Sequence, residues 1–257
     1  MRSTAAVVAL VAVAGCSKEE SPRHEAKAGE AAHWSYEGAD GPAAWASLST
    51  DYTRCADGSA QSPIAVGHPQ DKPLPDLHFD YRTARVEIED TGHTEQVNVE
   101  PGSSVVLDGV TYGLAQFHYH APSEHTVDGR SFPAEFHFVH KSDTGALAVV
   151  GLLVKAGRHN PAWDPILEHL PNRTNEPVTV DALDLKALFP ADLGTTRYEG
   201  SLTTPPCSEG VHWNLLSGLI DLNDAQLSVL TGHYDHNNRP VQPLAGRPVV
   251  HDSTVGD

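Results

Sequence analysis

Five consecutive residues, Gln116-Phe117-His118-Tyr119-His120, carry the clearest chemical signal in the chain. In a β-strand, residues two apart share a face. His118 and His120 therefore point the same way with Gln116 beside them, while Phe117 and Tyr119 pack behind. A second segment, Ala134-Glu135-Phe136-His137-Phe138-Val139, repeats the pattern. Glu135, His137 and Val139 share one face, and Phe136 and Phe138 the other. If the two strands pair as antiparallel neighbours across residues 121–133, three imidazoles converge. Three neutral His nitrogens with one position left open make the geometry of a catalytic zinc site, although imidazole also suits copper, iron or nickel. Gln116 and Glu135 stand on the ligand face, placed to accept from a ligand's other ring N–H and so fix its tautomer and orientation.

The local pattern leaves other readings open. A chain with 16 His can set three of them on strands by chance. His118-x-His120-xxx-Glu124 also matches the core of the cupin metal motif, with Glu124 as a ligand. Against that reading, Gly113 and Gly129 lie too close to serve as its flanking glycines, and His137 is nearer than its distant third His.

The elements that must position these residues are mostly strands. Leu77–Tyr81, Arg85–Asp90, Gln96–Glu100, Ser104–Leu107, Val110–His120, Ala134–His140, Leu147–Lys155, Tyr198–Leu202 and Val211–Leu216 are short alternating runs between turn signals. Asp108-Gly109 marks a hairpin turn. Helical patterns are few: Ala162–Leu170, a capped start at Asn223-Asp224-Ala225-Gln226 running to Leu230, and one or two turns over Ala182–Leu188. No internal repeat is found. The pattern predicts a mainly β single domain, built on a large twisted, mostly antiparallel central sheet with short peripheral helices.

The chain has 257 residues, and 17 Lys+Arg against 34 Asp+Glu give a net charge of −17. That length can bury one large core. The acidic balance argues against a nucleic-acid partner, which would need a basic stripe. No run of 18 apolar residues is present, as an ordinary spanning helix would require. The start of the chain does suggest export. Arg2 precedes the apolar stretch Ala5 to Ala14, followed by Val13-Ala14-Gly15-Cys16, which resembles a bacterial lipobox. The expected organisation is a lipoprotein-type signal over 1–15, lipidation at Cys16, a flexible tether over 16–32, the domain over 33–251 and a tail over 252–257. The expected location is periplasmic or at the cell surface, with the membrane touched only through the lipid. In an oxidising compartment the two remaining cysteines, Cys55 and Cys207, read as one disulfide; two free buried thiols are the alternative.

The pieces together resemble an alpha-class carbonic anhydrase over nearly all of residues 33–251. The matching segments are His33-Trp34-Ser35-Tyr36-Glu37-Gly38, Gln61-Ser62-Pro63-Ile64 and Gly92-His93-Thr94. Gln116–His120 follows with Ser123-Glu124-His125-Thr126-Val127-Asp128, then Ala134-Glu135-Phe136-His137. Gly200-Ser201-Leu202-Thr203-Thr204-Pro205-Pro206 and Asn238-Arg239-Pro240-Val241-Gln242-Pro243-Leu244 complete the series, in order and at matching spacing.

That resemblance implies zinc-dependent, reversible hydration of carbon dioxide to bicarbonate and a proton, by attack of zinc-bound hydroxide. It implies one Zn²⁺ held by His118, His120 and His137, with Gln116 and Glu135 as acceptors behind them. Thr203 matches the hydroxyl that accepts from the zinc-bound oxygen, and Glu124 the carboxylate that accepts from Thr203. Val139, Val149, Leu202 and Trp213 match the apolar substrate pocket; Thr203 and, beside it, Thr204 complete the implied substrate-binding set, with Thr204 placed to contact bicarbonate or water. His93 matches the proton shuttle. Tyr36, Thr91 and Gln96 match the wall that orders solvent, with Thr91 and Gln96 standing where relatives often have Asn. Cys55 and Cys207 match the disulfide of secreted members. The implied partner is the small molecule CO₂ or bicarbonate; a homodimer is left open. The rival readings are a non-catalytic zinc-binding surface lipoprotein on the same fold and a cupin-like metal oxidoreductase.

Overall fold

A computed structural model describes residues 32–171 and 176–252. Cys16, the expected signal and most of the expected tether lie outside the described residues, as does the chain after Asp252. The strands are β1 (Ala65–Val66), β2 (Gln70–Lys72), β3 (His78–Asp80), β4 (Thr83–Asp90), β5 (Glu95–Val99), β6 (Ser104–Leu107), β7 (Val110–His120) and β8 (Thr126–Val127). They continue with β9 (Ala134–Ser142), β10 (Leu147–Ala156), β11 (Val178–Asp184), β12 (Thr195–Ser201), β13 (Glu209–Leu216), β14 (Ile220–Leu222) and β15 (Val250–Asp252). Among the described residues, four short α-helices lie around them: α1 (Trp45–Leu48), α2 (Arg54–Asp57), α3 (Asp164–Leu167) and α4 (Asp224–His233).

One large sheet dominates. Its strands run in the order β11-β4-β5-β7-β9-β10-β13-β12-β15-β2, with β3, β6 and β14 attached to its side. Pairing is antiparallel except for β10 with β13 and β14, and β15 with β2. The mainly β, mostly antiparallel architecture read from the sequence is what forms. One face of the central strands packs Phe117, Tyr119, Phe136, Phe138, Val150 and Leu152 into the main core with Trp163 and Leu230. Each such fully buried side chain stabilises by roughly 1.5–3 kcal/mol.

Local chemistry explains the turns that set the register. Asp108 and Gly109 both adopt positive φ, 50° and 78°. That is the conformation a two-residue hairpin demands, and it pairs Leu107 with Val110. The Asn223 side chain accepts from Gln226 N, and the Gln226 side chain returns the bond, closing the capping box that starts α4.

One feature of β7 is decisive for the site. Its pairing with β9 shifts between Leu114 and Gln116, leaving Ala115 as an extra residue. Tyr112 and Leu114 face the core before this bulge, and Phe117 and Tyr119 after it. A β-bulge switches the alternation, and here it turns Gln116, His118 and His120 away from the core. The bulge lies where β7 exchanges β6 for β5 as its neighbour.

The expected turns over Ala182–Leu188 need correction. Residues up to Asp184 belong to edge strand β11, which pairs with β4, and only Leu185–Leu188 form a single 3-10 turn. Asp184 caps that turn by accepting from Lys186 N and Ala187 N. The tertiary partner overrides a weak local helical pattern. The very short strands β1, β2, β8, β14 and β15 carry too few residues for any periodicity to show.

Candidate metal centre and active site

Sheet register brings the candidate ligands together. His118 on β7 stands directly opposite His137 on β9, and His120 opposite Glu135. Gln96 on β5 stands opposite His118 on the other side. The next row across the sheet runs Asn98, Gln116, Val139, Val149, Trp213 and Tyr198. A row carrying His118 and His137 and a row that turns apolar from Val139 onward thus lie side by side on one face.

Each imidazole is held through one nitrogen. His118 Nδ1 donates to Gln116 Oε1 at 2.9 Å, His120 Nδ1 to the Asn237 carbonyl at 2.6 Å, and His137 Nε2 to Glu135 Oε1 at 3.0 Å. These acceptors assign the tautomers. They leave His118 Nε2, His120 Nε2 and His137 Nδ1 with free lone pairs. The three residues offer ligand atoms within 4.8 Å of one another. His120 Nε2 is buried with no hydrogen-bond partner, an unsatisfied acceptor that a metal ion would satisfy. Burial, and then His120 and His137, hold His118 well below its ordinary pKa. Burial brings His120 down to about 4 and lowers His137 despite Glu135. Neutral imidazole is the form that binds metal, so the donor set fits zinc.

Glu135 accepts four hydrogen bonds. Oε2 takes Glu124 N and His125 N at 2.9 and 2.8 Å, and Oε1 takes His125 Nδ1 at 2.7 Å besides His137. Burial pushes its pKa up, but His125 and His137 outweigh that and hold it well below the usual carboxylate range. Gly151, opposite His137, leaves the room: a Cβ there would lie 2.8 Å from Leu215 Cδ1 and 3.2 Å from Glu135 Oε1.

Glu124 is buried beside the imidazoles, with Oε2 3.6 Å from His120 Nε2 and 3.9 Å from His137 Nδ1. Its Oε1 accepts from Arg239 N at 2.7 Å. Burial raises Glu124 to about 7, against the pull of His137, Arg239 N–H and the Thr203 hydroxyl. Thr203 thus stands beside Glu124 as a hydroxyl donor, while Oε2 itself is buried without a hydrogen-bond partner.

All the other expected catalytic, substrate and solvent-wall residues line one cavity of about 330 Å³: Tyr36, Thr91, His93, Gln96, Val139, Val149, Leu202, Thr203, Thr204 and Trp213, with the three imidazoles and Gln116. Trp213 Nε1 donates to Ser201 O at 2.9 Å, which satisfies the indole's polar end. The Thr203–Thr204 segment is tied down behind: Cys207 N donates to Thr204 O at 2.8 Å, and Cys55 and Cys207 form a disulfide.

Sequence reasoning missed Asn237, His125 and Trp34 as parts of the site. Besides its carbonyl on His120, Asn237 accepts from Ala121 N and donates to His93 O and Tyr119 O. It lies 117 residues from His120, and no local spacing reports such a partner. Trp34 lines the cavity and stacks on His93.

Comparison with known proteins gives one consistent result. The family model described as eukaryotic-type carbonic anhydrase matches residues 40–253. A carbonic anhydrase of Pectobacterium carotovorum is 41% identical over 228 residues, covering 88% of this chain and 93% of the relative. One from Neisseria gonorrhoeae is 38% identical over 224 residues, covering 86% and 89%. Among solved structures, the alpha-carbonic anhydrase of Thermovibrio ammonificans in complex with the inhibitor sulfanilamide superimposes with a TM-score of 0.83 at 38% identity, covering 86% of this chain and all of that one, 100%.

Proposed function

The chain belongs to the alpha, or eukaryotic-type, carbonic anhydrase family, whose reaction is the hydration of carbon dioxide, and we propose that it performs this reaction with one zinc ion held by His118 Nε2, His120 Nε2 and His137 Nδ1. The observation that carries the proposal is the convergence of three lone pairs, each freed because an acceptor holds the imidazole's other nitrogen. A zinc ion there would act as a Lewis acid that acidifies water to near neutrality, a property for which carbonic anhydrase is itself the standard example.

The chain's own residues do the rest. Gln116, Glu135 and the Asn237 carbonyl orient the imidazoles. Glu124 faces two of them, so positive charge held among them favours its ionised form. An ionised carboxylate only accepts, which obliges the Thr203 hydroxyl to donate to it and keep its lone pairs for the reacting oxygen. Val139, Val149, Leu202 and Trp213 give a small apolar molecule a dry wall beside that oxygen, with Thr204 next to it. His93 at the half-exposed side of the cavity takes the proton through ordered water and passes it to buffer; Tyr36, Thr91 and Gln96 order that water. We also propose that the enzyme is exported and anchored through a lipid on Cys16, supported by the sequence pattern alone.

The test is stopped-flow CO₂ hydration by the zinc-loaded protein, by protein stripped with a chelator, and after zinc is restored. Activity that disappears and returns with zinc supports the reading. Zinc bound at one per chain without hydration overturns it in favour of a binding protein.

A further inference from the structure

Glu89, Gln96, His118 and His137 form one row across four strands, each directly opposite the next. The last two are proposed metal ligands, and Gln96 lines the cavity. Gln96 Nε2 donates to Glu89 Oε1 at 3.0 Å and to Asn98 Oδ1 at 2.8 Å. A primary amide has two N–H donors and one carbonyl oxygen, and its partners decide which end faces which way. A carboxylate only accepts, so Glu89 fixes the nitrogen end toward itself. Both amide hydrogens are then used, and Oε1 is the polar atom that Gln96 has left for the cavity. Its neighbour on the wall is differently committed: the Thr91 hydroxyl donates to Thr94 O at 2.8 Å and accepts from His93 N and Thr94 N.

We propose that Glu89 is a positioning residue for proton exit: it locks the Gln96 amide so that this wall presents a fixed acceptor to the water between the metal centre and His93. The proposal rests on the reading of His93 as the proton exit. Water relays a proton only when its hydrogens point in a consistent sense. An amide free to turn would offer either a donor or an acceptor and would blur that sense. Glu89 acts through Gln96 and touches no reacting atom.

The experiment uses the full chain loaded with zinc. Glu89→Gln keeps the shape but offers Gln96 an amide that can face either of its ends. In weak buffer its kcat falls by about threefold, well below what a full acid–base group contributes. kcat/KM stays unchanged and imidazole restores turnover. The ¹⁵N signals of the Gln96 side-chain NH₂ move, and their exchange with solvent quickens. In a Gln96→Leu background the same substitution has no further effect on kcat, because the two residues act as one unit. Unmoved Gln96 NH₂ signals, or an undiminished effect of Glu89→Gln in the Gln96→Leu background, overturn the proposal alone. Wild-type turnover that ignores imidazole, together with His93→Ala turnover equal to wild type, instead overturns the shuttle reading beneath it.

Discussion

Trp34 lies flat against the His93 imidazole, with ring centroids 3.6 Å apart and planes 11° from parallel. The stack covers one face of the side chain proposed as the proton exit. His93 is held below its ordinary pKa, first by burial and then by the charge of His33, with Asp90 pulling the other way. Trp34→Ala uncovers the ring and should raise the His93 pKa. An NMR titration of the imidazole in wild type and variant checks this; an unmoved midpoint means that the stack is not the source of the burial.

His93→Ala should lower kcat in weak buffer while kcat/KM barely changes, since the ligand set is intact. A positioned acid–base group contributes roughly 10²–10⁴-fold, and solvent bypass places the expected loss at the low end or below. Added imidazole should restore turnover, as measured by CO₂ hydration across a buffer series.

His137→Ala removes one of the three imidazoles and leaves Glu135 facing an empty site. Zinc affinity and hydration should fall together, because a three-ligand open site has no spare donor. Competition with a chromophoric chelator reads the affinity independently of activity. Full zinc occupancy with normal turnover would overturn the ligand assignment.

The Cys55–Cys207 disulfide closes 152 residues of sequence, and its neighbours tie it to the site. Gln61 Nε2 donates to Cys207 O at 3.0 Å, and Arg239 Nη2 to Cys55 O at 2.9 Å. Paired Cys55→Ser and Cys207→Ser substitutions should cost about 2–5 kcal/mol in urea unfolding. They should also lower kcat, because Thr203 and Thr204 sit on the loop the bond secures. An unchanged unfolding midpoint would remove the structural role.

His140 supplies a pH dependence from the face of β9 turned away from the cavity. It is fully buried on the core side of β9, with Nε2 2.5 Å from the Tyr81 hydroxyl, and burial brings its pKa down to about 4. The unfolded chain binds this proton near 6.5, so the neutral folded form loses no stability above that pH. Between about 6.5 and 4 the unfolded state binds more protons, and stability falls by up to about 3 kcal/mol in all. His140→Gln should flatten that acid limb in unfolding curves taken from pH 7 to 4.

Much of the site was legible because strand alternation is a local property. A period of two puts His118 with His120 and Glu135 with His137 whatever the fold does, and the Phe and Tyr between them announce a packed side. Asp108-Gly109 and Asn223 with Gln226 act within a few residues, so the hairpin and the start of α4 were also readable. The 182–188 region misled because its partner, β4, lies far away in sequence.

The sequence by itself determined which side chains could share a face, what chemistry three imidazoles and two carboxylates can do, and which family the ordered motifs resemble. Only the tertiary structure decided how those faces meet. The Ala115 bulge decides that the His118 face opens to the cavity and not to the core. Cross-strand register decides that His118 meets His137 and that Gln96 stands between His118 and Glu89. Chain return from the far end decides that the Asn237 carbonyl holds His120 and that Arg239 N holds Glu124. Alternation is written in each residue's bonds to its neighbours, whereas bulges, registers and returning loops are settled by how all the strands bury their apolar faces at once.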